Sequence, residues 1–349
     1  MLSMTRLLVF EVTLGIVFFV VLQQPWAMMV GGVLGVAAVA AMFGRSNGRW
    51  WTDTFMLWLR YKMRSGSSGS KRQDPRLAAL CELAPDLVIE DIDDQDDKKL
   101  GMGSDSAGWF AVLEVATTSI EHALPPVPIA ALAKIASEAE QAGVVMQVVS
   151  HTSAMNGTAA RDHVIWVAVR LDASAVAQSM IDHAGKDVDI PAVLAEVVHR
   201  AERLLRRRDL RVRTLPAEEL VDALARSCDL LPTAQTVVRE DWDAWNSTRL
   251  VHGCFWLHTW PDAERTAWLL AMLAEVPAAL VSIAFIIEPS YEGTSIRCLV
   301  RVATTREHYR QTCDRVMRVA GWAGAQMSRL DGQHAPAVYA SAPSGGGAR

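Results

Sequence analysis

The chain is poor in the groupings that usually carry enzyme chemistry. Its five cysteines, Cys81, Cys228, Cys254, Cys298 and Cys313, are odd in number, far apart and never in a C-x-x-C pair. They read as buried free thiols in a reducing compartment, not as a disulfide framework. No G-x-x-x-x-G-K-[ST] is present to cradle a phosphate, and no H-E-x-x-H to hold zinc. Gly101-Met102-Gly103 lies ahead of the first strong strand, not between a strand and a helix, so it is no dinucleotide fingerprint. An excess of positive charge is confined to one stretch. Between Arg45 and Arg72 seven basic residues face one acidic residue, while the whole chain carries a net charge of −5. The remainder is acidic on balance, which argues against nucleic acid as a partner.

What the chain does have is a pair of long apolar runs. Leu7–Leu22, the break Gln23-Gln24-Pro25 and Trp26–Phe43 are each close to the length a spanning helix needs, with a tight turn between them. The expectation is an N-terminal two-helix transmembrane hairpin over 1–44, with spans at 7–24 and 26–43. No small-x-small cleavage site follows Leu22, so a signal peptide does not account for it. Basic residues crowd after Phe43, which puts both ends in the cytoplasm. Trp26 then falls at the outer aromatic belt. Trp50, Trp51 and Trp58 fall at the inner one, beside Arg60, Lys62 and Arg64. Glu11, inside the first run, reads either as a contact to a partner helix or as a carboxylate that snorkels out beside Arg6. Gly31 and Gly35 form a small-xxx-small face for close helix approach.

Residues 45–72 read as a basic, aromatic juxtamembrane helix followed by a Ser/Gly linker. The helix either lies in the headgroup layer or continues the second span. Residues 73–235 and 236–340 read as two α/β halves, and 341–349 as a frayed tail. Strands at 109–115, 144–149, 163–171 and 210–215 alternate with helices at 126–142 and 190–208. A second series repeats the order, with strands at 250–260, 279–288, 294–303 and 325–330 and helices at 261–275 and 305–320. IWVAVRL from Ile165 corresponds to IRCLVRV from Ile296. Each half is thus β-α-β-β-α-β, a degenerate duplicated ferredoxin-like layout with helices on one face of antiparallel sheets.

Candidate chemistry is thin. His252 and His258 share a strand face, but no carboxylate or cysteine completes a metal set, and Cys254 and His258 are too far apart along a strand for a nucleophile–base pair. D-x-D triplets occur at Asp91–Asp93, Asp94–Asp96, Asp187–Asp189 and Asp241–Asp243. Paired carboxylates can hold a divalent cation on a sugar nucleotide, yet an acidic chain produces such triplets by chance. Arg206-Arg207-Arg208 ends a helix, where cations complement the dipole. No residue is assigned a catalytic, cofactor-binding or metal-binding role, and no cofactor is expected.

The hairpin, the aromatic–basic exit GRWWTDTFMLWLRYKMR and the α/β body together resemble the EccE family, the E component of type VII (ESX) secretion membrane complexes. The resemblance implies a non-enzymatic subunit of the inner, cytoplasmic membrane. It would be multi-pass with cytoplasmic termini, and associated with the lipid bilayer, the B and D components and the FtsK-like ATPase, component C. Two alternatives stand beside it: a membrane-anchored, glycosyltransferase-like enzyme using the D-x-D carboxylates, and a membrane-tethered sensor binding a small ligand between the two pseudo-repeats.

Overall fold

The computed structural model describes residues 11, 15, 33, 44–46, 49–64, 74–93, 99–116, 127–138, 143–154, 161–182, 189–230, 238–290 and 293–347. The chain separates into two units, Met1–Gly66 and Ser67–Arg349.

In the first unit, β1 (Arg45–Ser46) and β2 (Arg49–Trp50) pair antiparallel and lead directly into α1 (Trp51–Arg64). The Trp51 amide closes this hairpin by donating to the Gly44 carbonyl at 3.0 Å. Trp51, Phe55 and Trp58 recur at helical spacing along α1, and all three are exposed. Phe55 and Trp58 stack at 5.9 Å. No described helix supplies the expected transmembrane hairpin: among the described residues none is long and apolar enough to cross a membrane. With 14 residues, α1 reaches only about 21 Å against the ~30 Å of a hydrocarbon core, and it carries Asp53, Arg60, Lys62 and Arg64. The spans expected at 7–24 and 26–43 fall outside the described residues except at Glu11, Gly15 and Val33, which are helical and exposed.

The second unit is α+β, built on one large antiparallel sheet. Its first half runs β5 (Gly108–Val115), α3 (Ile129–Glu138), β6 (Val144–Ala154), β7 (Arg161–Asp172), α4 (Ala173–Asp182), α5 (Ile190–Arg206) and β8 (Val212–Thr214). Its second half runs β11 (Val251–Thr259), α7 (Ala263–Ala274), β12 (Leu280–Ser290), β13 (Gly293–Thr304), α8 (Tyr309–Ala323) and β14 (Gln326–Arg329). The lateral order is β8-β5-β7-β6 in one half and β14-β11-β13-β12 in the other. Each half is therefore a split β-α-β unit with its first strand inside and its second at the rim. The rims meet: β6 and β12 pair antiparallel from Met146↔Ile287 to Ser153↔Leu280, so both halves share one sheet.

The repeat is larger than its sequence suggests. A hairpin precedes each half, β3 (Val88–Asp93) with β4 (Lys99–Asp105), and β9 (Arg239–Glu240) with β10 (Trp245–Asn246). β4 pairs with the start of β5, and β10 with the start of β11. A helix also follows each half, α6 (Ala217–Ser227) after β8 and α9 (His334–Ala340) after β14. One further helix, α2 (Pro75–Leu83), opens the unit, capped by Asp74 accepting from the Arg76 amide at 2.8 Å. Asp189 and Asp262 cap α5 and α7 in the same way.

Helices cover both faces of the sheet, not one. On one face α3 and α5 bury Leu132, Leu194, Val198 and Leu205 against Met146, Val167 and Val169, and α7 and α8 bury Leu269, Leu273 and Val316 against Phe255, Ile283 and Val300. On the other, α2, α6 and α9 bury Leu80, Leu224 and Val338 against Val112, Val149, Trp166 and Ala284. The reason is visible in Ile165–Leu171, which is apolar at both parities apart from Arg170, the signature of a strand buried on two sides.

Residues 341–347 of the expected frayed tail pack against the sheet. Ala342 and Ser344 are fully buried. The Gln147 side chain donates to the Ala340 carbonyl at 2.7 Å and accepts from the amides of Gly345 and Gly346 at 2.8 and 3.1 Å. Gly345 has φ +72°, and a Cβ there would lie 2.5 Å from the Arg170 Cβ, so the tail seats only because this position has no side chain.

Candidate functional site

Strand register builds a polar row across the middle of the sheet. His151 on β6 lies directly opposite Ser282 on β12, Ser282 opposite Arg301 on β13, and Arg301 opposite Cys254 on β11. Partners directly opposite across a ladder share a face, so all four side chains point into the layer under α6 and α9. His252, two residues from Cys254, joins them. Trp166 packs on His151 at 5.4 Å, and Trp245 meets His252 edge-on at 4.8 Å.

Arg301 Nη2 donates to Ser227 Oγ at 2.7 Å and to Ser282 Oγ at 3.1 Å. Ser282 Oγ also hydrogen-bonds His151 Nδ1 at 2.8 Å, and donation by this hydroxyl corresponds to the His151 tautomer that carries its proton on Nε2. Among the described residues that Nε2 has no hydrogen-bond partner; neither do Arg301 Nε and Nη1, nor either ring nitrogen of His252. His334 Nδ1 accepts from the Cys254 amide at 3.2 Å. Arg301 is 2% exposed, and its partners are neutral groups, the hydroxyls of Ser227 and Ser282 and the Cys228 thiol.

The titration of the neighbours reflects this. Burial first, and the Arg301 charge second, hold His151 and His252 well below their ordinary 6.5, so both rings are neutral. Burial pushes the thiols of Cys228 and Cys254 up to about 11 and about 12, which leaves them protonated and unreactive. All five cysteines are free and buried.

A second buried arginine shows what Arg301 lacks. Arg170 on β7 forms an ion pair with Asp105 on β4, donates to the Ser344 carbonyl at 2.6 Å and lies 5.5 Å over the Phe110 ring. Tyr339 of α9 donates to the same Asp105 at 2.7 Å. Register equates the two sites. Phe110 opposes Arg170 as Cys254 opposes Arg301, and two residues back Asp105 opposes Gly108 as Trp245 opposes His252. Trp245 therefore stands where the first half has its carboxylate.

The residues singled out in the sequence fall elsewhere. Trp50 lies on β2; Trp51, Trp58, Arg60, Lys62 and Arg64 are exposed on α1, and Glu11 is helical and exposed. Trp26, Gly31 and Gly35 lie outside the described residues. Of the D-x-D carboxylates, Asp91 accepts from the Ala217 amide at 2.7 Å, Asp189 caps α5, and Asp241 accepts from Asn246 at 2.9 Å. His258 meets Ser328 at 2.6 Å. Among the described residues no group of three or more His, Cys, Asp or Glu is placed to hold a metal ion. Sequence reasoning missed His151, Ser282 and Arg301. Its one signal was a pair of arginines, Arg170 and Arg301, at matching positions of two otherwise apolar strands.

Fold and site together define a duplicated α+β protein with a sheet covered on both faces and a cationic row at the junction of its halves. Residues 159–257 match the family model described as "Putative type VII ESX secretion system translocon, EccE". The match runs from β7 through α6 into β11, so it covers a stretch different from the aromatic–basic exit that carried the resemblance. No curated protein matches the chain.

Proposed function

We propose that this chain is a structural, non-catalytic subunit of the membrane core of a type VII (ESX) secretion system. The observation that carries the reading is the family match over 159–257, which spans the junction between the two halves. That family is described by a translocon and not by a reaction. The B and D components and the component C ATPase are the partners we assign, and the cytoplasmic membrane the location. Glu11, Gly31 and Gly35 are assigned as contacts to those components.

The exposed Trp51–Phe55–Trp58 stripe of α1, next to Arg60, Lys62 and Arg64, supports contact with an anionic lipid surface. Each such cation contributes about 1 kcal/mol near that surface, and Trp side chains suit its interfacial layer. The transferase alternative gains no support, since three of the five described D-x-D carboxylates, Asp91, Asp189 and Asp241, are engaged in caps and hydrogen bonds and no described group of them is placed to hold a metal ion. Deleting the gene should abolish export of the system's substrates, and the intact chain should restore it; normal export from the deletion strain would refute the reading.

A further inference from the structure

We propose that the row under α6 is a receptor for a small carboxylate anion, seated against Arg301 Nε and Nη1, His151 Nε2 and His252. The inference is independent of the secretion reading and needs only the purified chain.

Three observations carry it. First, a guanidinium 2% exposed, with two nitrogen positions unpartnered, is an uncompensated buried charge. The C-terminal end of α6 at Ser227 lies over it and its dipole favours a cation, but a helix terminus offsets only part of the cost of desolvating an ion. Second, the unsatisfied positions on the arginine are all donors. Arg301 Nε and Nη1 carry N–H groups, and the neutral His151 and His252 rings each present one N–H, on the nitrogen their tautomer selects, so the row can surround an oxyanion with donors. Third, the molecule contains its own precedent. At the equivalent place in the other half a carboxylate, Asp105, neutralises Arg170 and takes a hydrogen bond from Tyr339. Trp245 occupies that position beside His252, so the chain provides no carboxylate of its own. A carboxylate, planar and able to accept two parallel N–H bonds from a guanidinium, is the anion this geometry suits. Trp166 and Trp245, which pack on the two histidines, close the site and limit it to a small molecule.

The test is thermal unfolding of the full chain after exhaustive dialysis into chloride, with formate or acetate added at constant ionic strength and phosphate as a parallel arm. The wild type should show a saturable rise in midpoint of roughly 2–6 °C with the carboxylates. Arg301→Met should fold and lose the response. Ser227→Asp, which places a carboxylate within reach of the guanidinium, should also lose it. A rise with phosphate alone would overturn the carboxylate assignment. No rise in the wild type, or an equal rise in Arg301→Met, would overturn the site.

Discussion

Arg170 and Arg301 occupy matching places in the two halves, yet their substitution should have opposite consequences. Arg170 and Asp105 are each 3% exposed, so Arg170→Met leaves a buried carboxylate unpaired and should cost about 3–5 kcal/mol in urea denaturation. Arg301→Met removes a charge that has no carboxylate and should be neutral or stabilising without added anion. Equal losses in both variants would contradict this account. The buried histidines add a pH dependence. Their folded values lie below 6.5, so the unfolded chain binds protons first as the pH falls. Stability is then fully present above that value and drops below it. The urea midpoint should fall between about pH 7.5 and about pH 5.5, and His252→Gln should reduce the fall. His163, also lowered by burial, contributes in the same direction and should leave a residual slope. The buried thiols were legible in the sequence because apolar strand patterns surround them. The contrast between the arginines was not, because it depends on β4 and β10, two elements with no apolar periodicity.

At the scale of elements, what went unread is what gains its structure from distant contacts. β4 contains Gly101 and Gly103, residues that weaken a strand by propensity. Each is needed for close approach: a Cβ at Gly101 would lie 2.7 Å from the Ala217 amide, and one at Gly103 2.3 Å from the Phe110 ring. The tail is a similar case. Its Ser-Gly-Gly-Gly composition reads as a flexible end, but Gln147 and Arg170, on strands distant in sequence, organise it. Gly345→Val must hold φ +72° and clash with Arg170, and should destabilise by at least about 1–2 kcal/mol in chemical denaturation. An unchanged midpoint would show that 341–347 is not seated as described. For α1, replacing Trp51 and Trp58 with Ser should weaken recruitment to anionic vesicles and abolish a blue shift in tryptophan emission on vesicle addition. Recruitment at wild-type strength would remove α1 from the membrane contact.

At the scale of the whole molecule, the shared sheet is the organising feature of residues 67–349. The order of strands within each half followed from periodicity, since helix and strand patterns recur in both. Their fusion edge to edge did not, because β6 and β12 are strongly apolar strands whose partner no local pattern names. Through the β6–β12 pairing a side chain of one half hydrogen-bonds a side chain of the other, as Ser282 does His151. The two halves should therefore unfold together, in one calorimetric transition whose calorimetric and van't Hoff enthalpies agree; two separable transitions would contradict a common core. The secretion reading makes a claim at the same scale, that the chain works inside an assembly. Its most direct measurement is the native mass of the tagged full chain after mild detergent extraction and affinity purification. The account predicts a large multi-subunit particle containing the B, C and D components. A stable lone monomer would contradict it.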